Sequence, residues 1–187
     1  MLRDLLQQNK DSIIERWLED TLATYSKDMS SFLNREKDRF ANPVGHALRT
    51  GTRAIFINLL DDKMDPDLIC SHLNDIIKIR AIQDFPPARA VSFVFLLKKA
   101  VRAGLGNNAT NPRLAPGLNE IDTKIDQIAL FAFDIYTKCR EQMHELRVNE
   151  VKRSVSALMD RFTEADSSDG TPRETPDNRA SCQGGGQ

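Results

Sequence analysis

The chain has 187 residues, with 26 basic against 27 acidic side chains and 40% hydrophobic residues. That length suits one domain around one core, and a net charge of -1 offers no field to gather phosphate backbones or anionic lipid. Neither nucleic acid nor membrane is therefore an expected partner. No run approaches the roughly 18 uninterrupted apolar residues of a spanning helix, and Met1-Leu2-Arg3-Asp4 leads into polar residues without a leader-like apolar stretch. Cys70, Cys139 and Cys182 lie far apart with no C-x-x-C spacing, so the expectation is a cytoplasmic protein with reduced thiols.

From the N-terminus, Leu2, Leu5, Leu6, Ile13, Ile14, Trp17, Leu18 and Leu22 fall on a helical period. They predict a helix to about Tyr25, within which Asp11 and Ser12 offer a fresh cap. A shorter, charged helix is predicted over 30–40, its run Arg35-Glu36-Lys37-Asp38-Arg39 forming a solvated face. Asn42-Pro43 is a helix start, followed by Val44, Ala47, Leu48, Ile55, Phe56, Leu59 and Leu60. Gly45 and Gly51 inside that helix predict close packing against a neighbour, since glycine costs about 1 kcal/mol there relative to alanine. Asp65-Pro66 opens the next helix, carrying Leu68, Ile69, Leu73, Ile76, Ile77 and Ile79, which stops before Pro86-Pro87. The helix after the prolines, Ala88 to about Ala103, is the most apolar of the chain and is expected to be central. Glycine, asparagine and proline from Gly104 to Gly117 predict a loop.

The last helix is predicted from about Leu118 to Ala165, far beyond the typical ~11–12 residues. Ile121, Ile125, Ile128, Ala132, Ile135 and Cys139 form a first stripe, and Val148, Val151, Val155, Leu158 and Phe162 a second, with a slip of phase near Leu146. The second stripe is expected to face a partner helix, often a second copy in a coiled coil. The domain reading is thus 1–146 helical body, 147–165 helical extension and 166–187 disordered tail, in an all-α fold of about six helices.

No catalytic constellation is visible. His46, His72 and His144 sit on three different predicted helices without H-E-x-x-H or E-x-x-H spacing, so neither a metal site nor an enzyme is expected. Two clusters invite a ligand or partner role. His46, in the first turn of its helix with Arg49 one turn on, is either a ligand or haem contact or a partly buried histidine bonded to a neighbouring loop. Arg80, Gln83 and Asp84, before the prolines, either bind an anion or partner or act locally, Gln83 and Asp84 as caps and Arg80 paired with helix-end carbonyls or Asp84.

Three stretches carry a family resemblance: Ile13–Tyr25 (IIERWLEDTLATY), Phe32–Ile55 (FLNREKDRFANPVGHALRTGTRAI) and Leu73–Arg102 (LNDIIKIRAIQDFPPARAVSFVFLLKKAVR). They resemble the N-terminal domain of RsbT co-antagonist proteins of the RsbR/RsbRD kind, the sensory module ahead of output domains in bacterial stress-response assemblies. The resemblance spans roughly Leu2 to Leu146, and the run from Arg80 to Lys98 is its most specific part. It implies a globin-like helical sensor domain without haem and without other cofactors, usually dimeric, whose long last helix conveys a signal to a STAS or kinase domain. Here the long helix leads into a tail with no room for a STAS fold, so the expectation is a homodimer that signals to a separate protein. A globin-like binder of haem or a small ligand, and an accessory subunit of an enzyme complex, are the alternatives.

Overall fold

In a computed structural model the backbone is described for residues 1–168 and the side chains for 1–161. The described residues are all-α, with no strand: α1 Leu2–Gln8, α2 Lys10–Leu22, α3 Lys27–Arg35, α4 Pro43–Leu59, α5 Pro66–Ile82, α6 Pro87–Val91, α7 Phe93–Leu105, a 3-10 turn Gly106–Thr110, and α8 Ala115–Ser168. The described residues divide into two compact units, Met1–Met143 and a second that begins at His144.

Both proline-started helices begin where the sequence places them. The Asn42 side chain accepts from Gly45 N–H, and Asp65 accepts from the N–H groups of Asp67 and Leu68. Eight α-helices stand where about six were expected because two predicted helices are each broken once. Asn9 Nδ2 donates to Leu5 O at 2.8 Å and stops α1 two residues before the anticipated cap at Asp11. Ser92 Oγ donates to Arg89 O at 3.0 Å, while Phe95 N–H bonds Ser92 O in a tightened turn, dividing α6 from α7. The run Arg35–Arg39 is not a helix face. Helix α3 spans Lys27–Arg35, and beyond it Asp38 accepts from the N–H groups of Phe40 and Ala41 at 2.7 and 2.9 Å, folding the charges into a turn.

The core of the first unit gathers Leu6, Ile13, Trp17, Ile55, Phe56, Leu73, Phe93 and Leu97 with Ile125 and Ile128 of α8. Helix α7 is central but amphipathic. It buries Phe93, Val94, Leu97, Ala100 and Val101 yet leaves Phe95 exposed, and its polar edge pairs with both neighbours: Lys98 with Asp126 at 2.7 Å, Arg102 with Asp122, and Lys99 with Asp20 at 3.3 Å. Against α2 it packs closely because Gly104 faces Ile13, where a Cβ would collide with the isoleucine side chain. Trp17 Nε1 donates to Phe93 O at 2.7 Å on the same seam, the two rings parallel with centroids 6.2 Å apart. Gly51 meets Ile76 where α4 crosses α5, as its sequence position predicts, whereas the space beside Gly45 is filled by its own cap, Asn42.

In the described part of the second unit, Leu146, Val148, Val151, Val155 and Leu158 are 69, 36, 61, 51 and 54% exposed. The second stripe is thus apolar surface without cover from the described residues. Phe162, the last member, has its side chain outside the described residues, as does the whole of 169–187, where the tail was expected.

Candidate functional site

The two sequence-named clusters fare differently. His46 and Arg49 share a cleft of about 310 Å³ lined also by Glu15, Glu19, Asn34 and Lys37. His46 is exposed there, not bonded to a loop. Arg49 is turned to structure: its Nη2 donates to Leu33 O at 2.8 Å and Glu36 O at 3.0 Å, the same two carbonyls that Asn42 Nδ2 reaches at 3.0 and 2.8 Å. Together they close the C-terminal end of α3, whose last carbonyls otherwise lack partners.

Arg80 is the more unusual group. Its position in the last turn of α5 turns it inward, and it is 0% exposed. The guanidinium carbon lies 5.1, 5.2 and 4.8 Å from the ring centroids of Tyr25, Phe85 and Phe93. Three π-faces thus surround one cation, a favourable arrangement when water is excluded. Nη1 donates to Arg89 O at 3.2 Å and Nη2 to Thr24 Oγ1 at 3.1 Å. No carboxylate pairs with it among the described salt bridges, and Arg80 Nε and the Tyr25 hydroxyl are buried without a hydrogen-bond partner. Burial pushes the Arg80 guanidinium down from its ordinary value and the Tyr25 hydroxyl up, the neighbouring Arg80 charge pulling the latter partly back.

The turn after Arg80 links this cage to α8. Asp84 adopts φ 54°, a left-handed conformation uncommon outside glycine, which lets the chain double back so that Phe85 enters the cage. On the outer side Asp84 pairs with Arg140 at 2.7 Å, and Tyr136 donates its hydroxyl proton to Phe85 O at 2.6 Å. Arg89 covers Phe85 from the other direction, 5.3 Å from its centroid, and reaches Thr24 O at 2.6 Å. One turn of eleven residues, Arg80 to Ala90, therefore ties α2, α5, α7 and α8 together.

The local alternative for this cluster needs correction. Asp84 and Gln83 do not cap α6, whose N-cap is Pro86 with no side-chain bond, and Arg80 pairs with neither Asp84 nor the end of its own helix. Gln83 is exposed, its backbone N–H closing α5 on Ile79 O at 3.0 Å. Sequence reasoning missed Tyr25, Phe93, Tyr136 and Arg140 as members of the site. The aromatic spacing after Arg80, with Phe85 and Phe93 flanking the prolines, was the available signal; Tyr25 and the α8 pair are joined to it only by folding. Chemically the site holds a cation in a cage of three aromatic rings with hydrogen bonds to one carbonyl and one hydroxyl. Among the described residues no three His, Cys, Asp or Glu side chains gather as a metal site, and no helix is long and apolar enough to cross a membrane.

Compared with known proteins, residues 11–151 match the family model described as the RsbT co-antagonist protein rsbRD N-terminal domain. No curated protein and no solved structure matches the chain. The matched span includes every residue of the Arg80 cage and its two α8 partners, and it covers most of the 187 residues: the chain belongs to the RsbT co-antagonist rsbRD N-terminal domain family.

Proposed function

We propose that this protein is a sensory or regulatory domain of bacterial stress-response signalling, of the stressosome type. In this reading a change in the first unit is passed along α8 to a partner protein through the stripe Val148, Val151, Val155, Leu158 and Phe162. The observation that supports it most is the attachment of α8 to the caged arginine. A buried cation with no carboxylate is a poor way to gain stability, whereas its energy depends steeply on how closely three rings and two acceptors surround it. Displacing Phe85 or Tyr25 changes that environment, and the Asp84–Arg140 and Phe85–Tyr136 contacts connect the displacement to α8. Such a coupling needs only a modest differential free energy, about 1–3 kcal/mol.

Hydrogen exchange of Asp84→Asn and Tyr136→Phe variants tests the coupling. The expected outcome is altered protection both in 80–93 and along α8 beyond Met143. Changes confined to the residues that touch the substitution sink the proposal. A second reading, binding of a small polar ligand, is favoured by the cleft holding His46 and Arg49. Its lining sets two glutamates, a lysine, an arginine, a histidine and an asparagine beside Leu18 and Leu22, which suits a compact charged molecule better than the broad apolar face of a haem. A flat absorption spectrum in the Soret region after haem addition is the result this lining predicts.

A further inference from the structure

The acids of α2 divide into two kinds. Asp11 and Asp20 each meet a base of a neighbouring helix, Arg53 of α4 at 3.2 Å and Lys99 of α7 at 3.3 Å. Glu15 and Glu19, one helical turn apart, line the cleft of His46 and Arg49 instead, and their carboxylates have no ion pair and no hydrogen bond among the described residues. The bases of the same cleft come from the turn after α3 and from α4. The side chains of Lys37 and His46 are likewise without a partner among the described residues. Arg49 is fixed through Nη2 on Leu33 O and Glu36 O, and its Nη1 and Nε bond nothing there. The other cleft of the first unit, of about 230 Å³, shows the ordinary alternative: its charges close on each other, Arg3 on Asp61 and Asp62, and Lys124 on Glu120.

Acids and bases that line one cleft and stay apart are solvated separately, and a ligand that replaces this water must supply both signs. A simple anion would face Glu15 and Glu19, and a simple cation would face Lys37 and Arg49, each at the cost of like charges brought together. Between the glutamates and the bases lie half-buried Leu18 and buried Leu22, on the same face of α2 as Glu15 and Glu19. They offer apolar contact to the body of a ligand. The volume, about 310 Å³, lies at the small end of the about 300–1,000 Å³ of ligand pockets. Because Arg49 is already held by two carbonyls, its free N–H groups are oriented before a ligand arrives. We propose that this cleft binds a free α-amino acid with an apolar side chain, its carboxylate on Arg49 and Lys37 and its ammonium on Glu15 and Glu19. The proposal rests on the reading of the cleft as a ligand site and names the class of ligand.

The test titrates the full, isotope-labelled chain with L-leucine and with two relatives that each lack one charge: isocaproate, without the ammonium, and isopentylamine, without the carboxylate. Inorganic phosphate is the further comparison. Amide shifts in 15–22 and 34–49 are expected to saturate with leucine, at an affinity about tenfold or more above that of either relative, since each lost charge-assisted hydrogen bond weakens binding by that order. Glu15→Gln with Glu19→Gln is expected to bring leucine down to the affinity of isocaproate and to leave isocaproate no weaker than before. Both glutamates are exposed, and the signal of Trp17 checks that the variant is folded. Equal binding of leucine and isocaproate by the parent chain, or leucine binding untouched by the double substitution, overturns the proposal. Shifts in the same residues with phosphate or either relative, without preference for leucine, reject the amino acid and leave the cleft a ligand site. No shift there with any of these probes rejects the ligand reading as well.

Discussion

Replacing Arg80 with Met and with Ala separates the charge of the caged side chain from its volume. The alanine variant removes a large, fully buried side chain from between three rings. Truncations of that kind cost about 2–5 kcal/mol, and the Arg89 carbonyl and Thr24 hydroxyl each lose a donor at about 1 kcal/mol apiece. The sum, about 4–7 kcal/mol, is a large share of the about 5–15 kcal/mol that holds a domain together. Methionine keeps an unbranched chain in the cage and sets its sulfur against the rings, at about 0.3–1.5 kcal/mol for each such contact. It forfeits the two hydrogen bonds and the cation–π attraction, of about 2 kcal/mol or more when desolvated, but it also removes the several kcal/mol penalty of burying an unpaired ion. These terms nearly cancel, so Arg80→Met is expected to lie within about 1.5 kcal/mol of the parent. Urea unfolding followed by the single tryptophan is the assay: Trp17 is 0% exposed and stacks on Phe93, itself a wall of the cage. A methionine variant destabilised as much as the alanine variant would refute the reasoning, because the cation itself would then be holding the fold.

Two further outcomes follow from the same packing. Gly104→Ala is expected to destabilise by about 1–2 kcal/mol, the overpacking against Ile13 outweighing alanine's helix preference; adding Ile13→Ala is expected to cost less in that background than alone, as a double-mutant cycle in urea will show. Burial raises the Tyr25 hydroxyl above its ordinary 10.0, so the fold favours its neutral form. That contribution is intact below pH 10.0, the unfolded value, and is lost as pH rises through the folded value. Stability measured across this range is expected to fall less steeply in Tyr25→Phe, and an unchanged slope would remove Tyr25 from the alkaline transition.

Local signals were legible in the sequence to the residue. Asn42-Pro43 and Asp65-Pro66 start helices because the cap and the proline act within one turn, and the two stripes of α8 separate because burial follows a period that can be read directly. A break in the first helix was legible from Asp11 and Ser12, though it falls two residues earlier, at Asn9. The break at Ser92 was not legible. Each rests on a short side chain choosing a carbonyl over solvent, an option open to many other asparagines and serines in this chain. The cage was hidden for a different reason. A buried arginine is ordinarily sought through an acidic partner, and Arg80 has none; its neighbours are Phe85 and Phe93, which follow it in sequence, and Tyr25, which nothing local connects to it. Arg49 was noticed for its place beside His46, yet it serves carbonyls of α3, which only the fold brings near.

Asn42 uses both its amide hydrogens on α3, at Leu33 O and Glu36 O, and its oxygen on Gly45 N–H of α4. The end of one helix and the beginning of the next are thereby a single knot, tied by one side chain that is 1% exposed. Helix α3 has no stop signal of its own beyond Arg35, so its length is dictated by Asn42, seven positions later in the chain, together with Arg49. The two helices consequently gain or lose their shared boundary together, and α3 behaves as an outlying limb of α4, free to swing only when both the Asn42 amide and the Arg49 guanidinium let go of it.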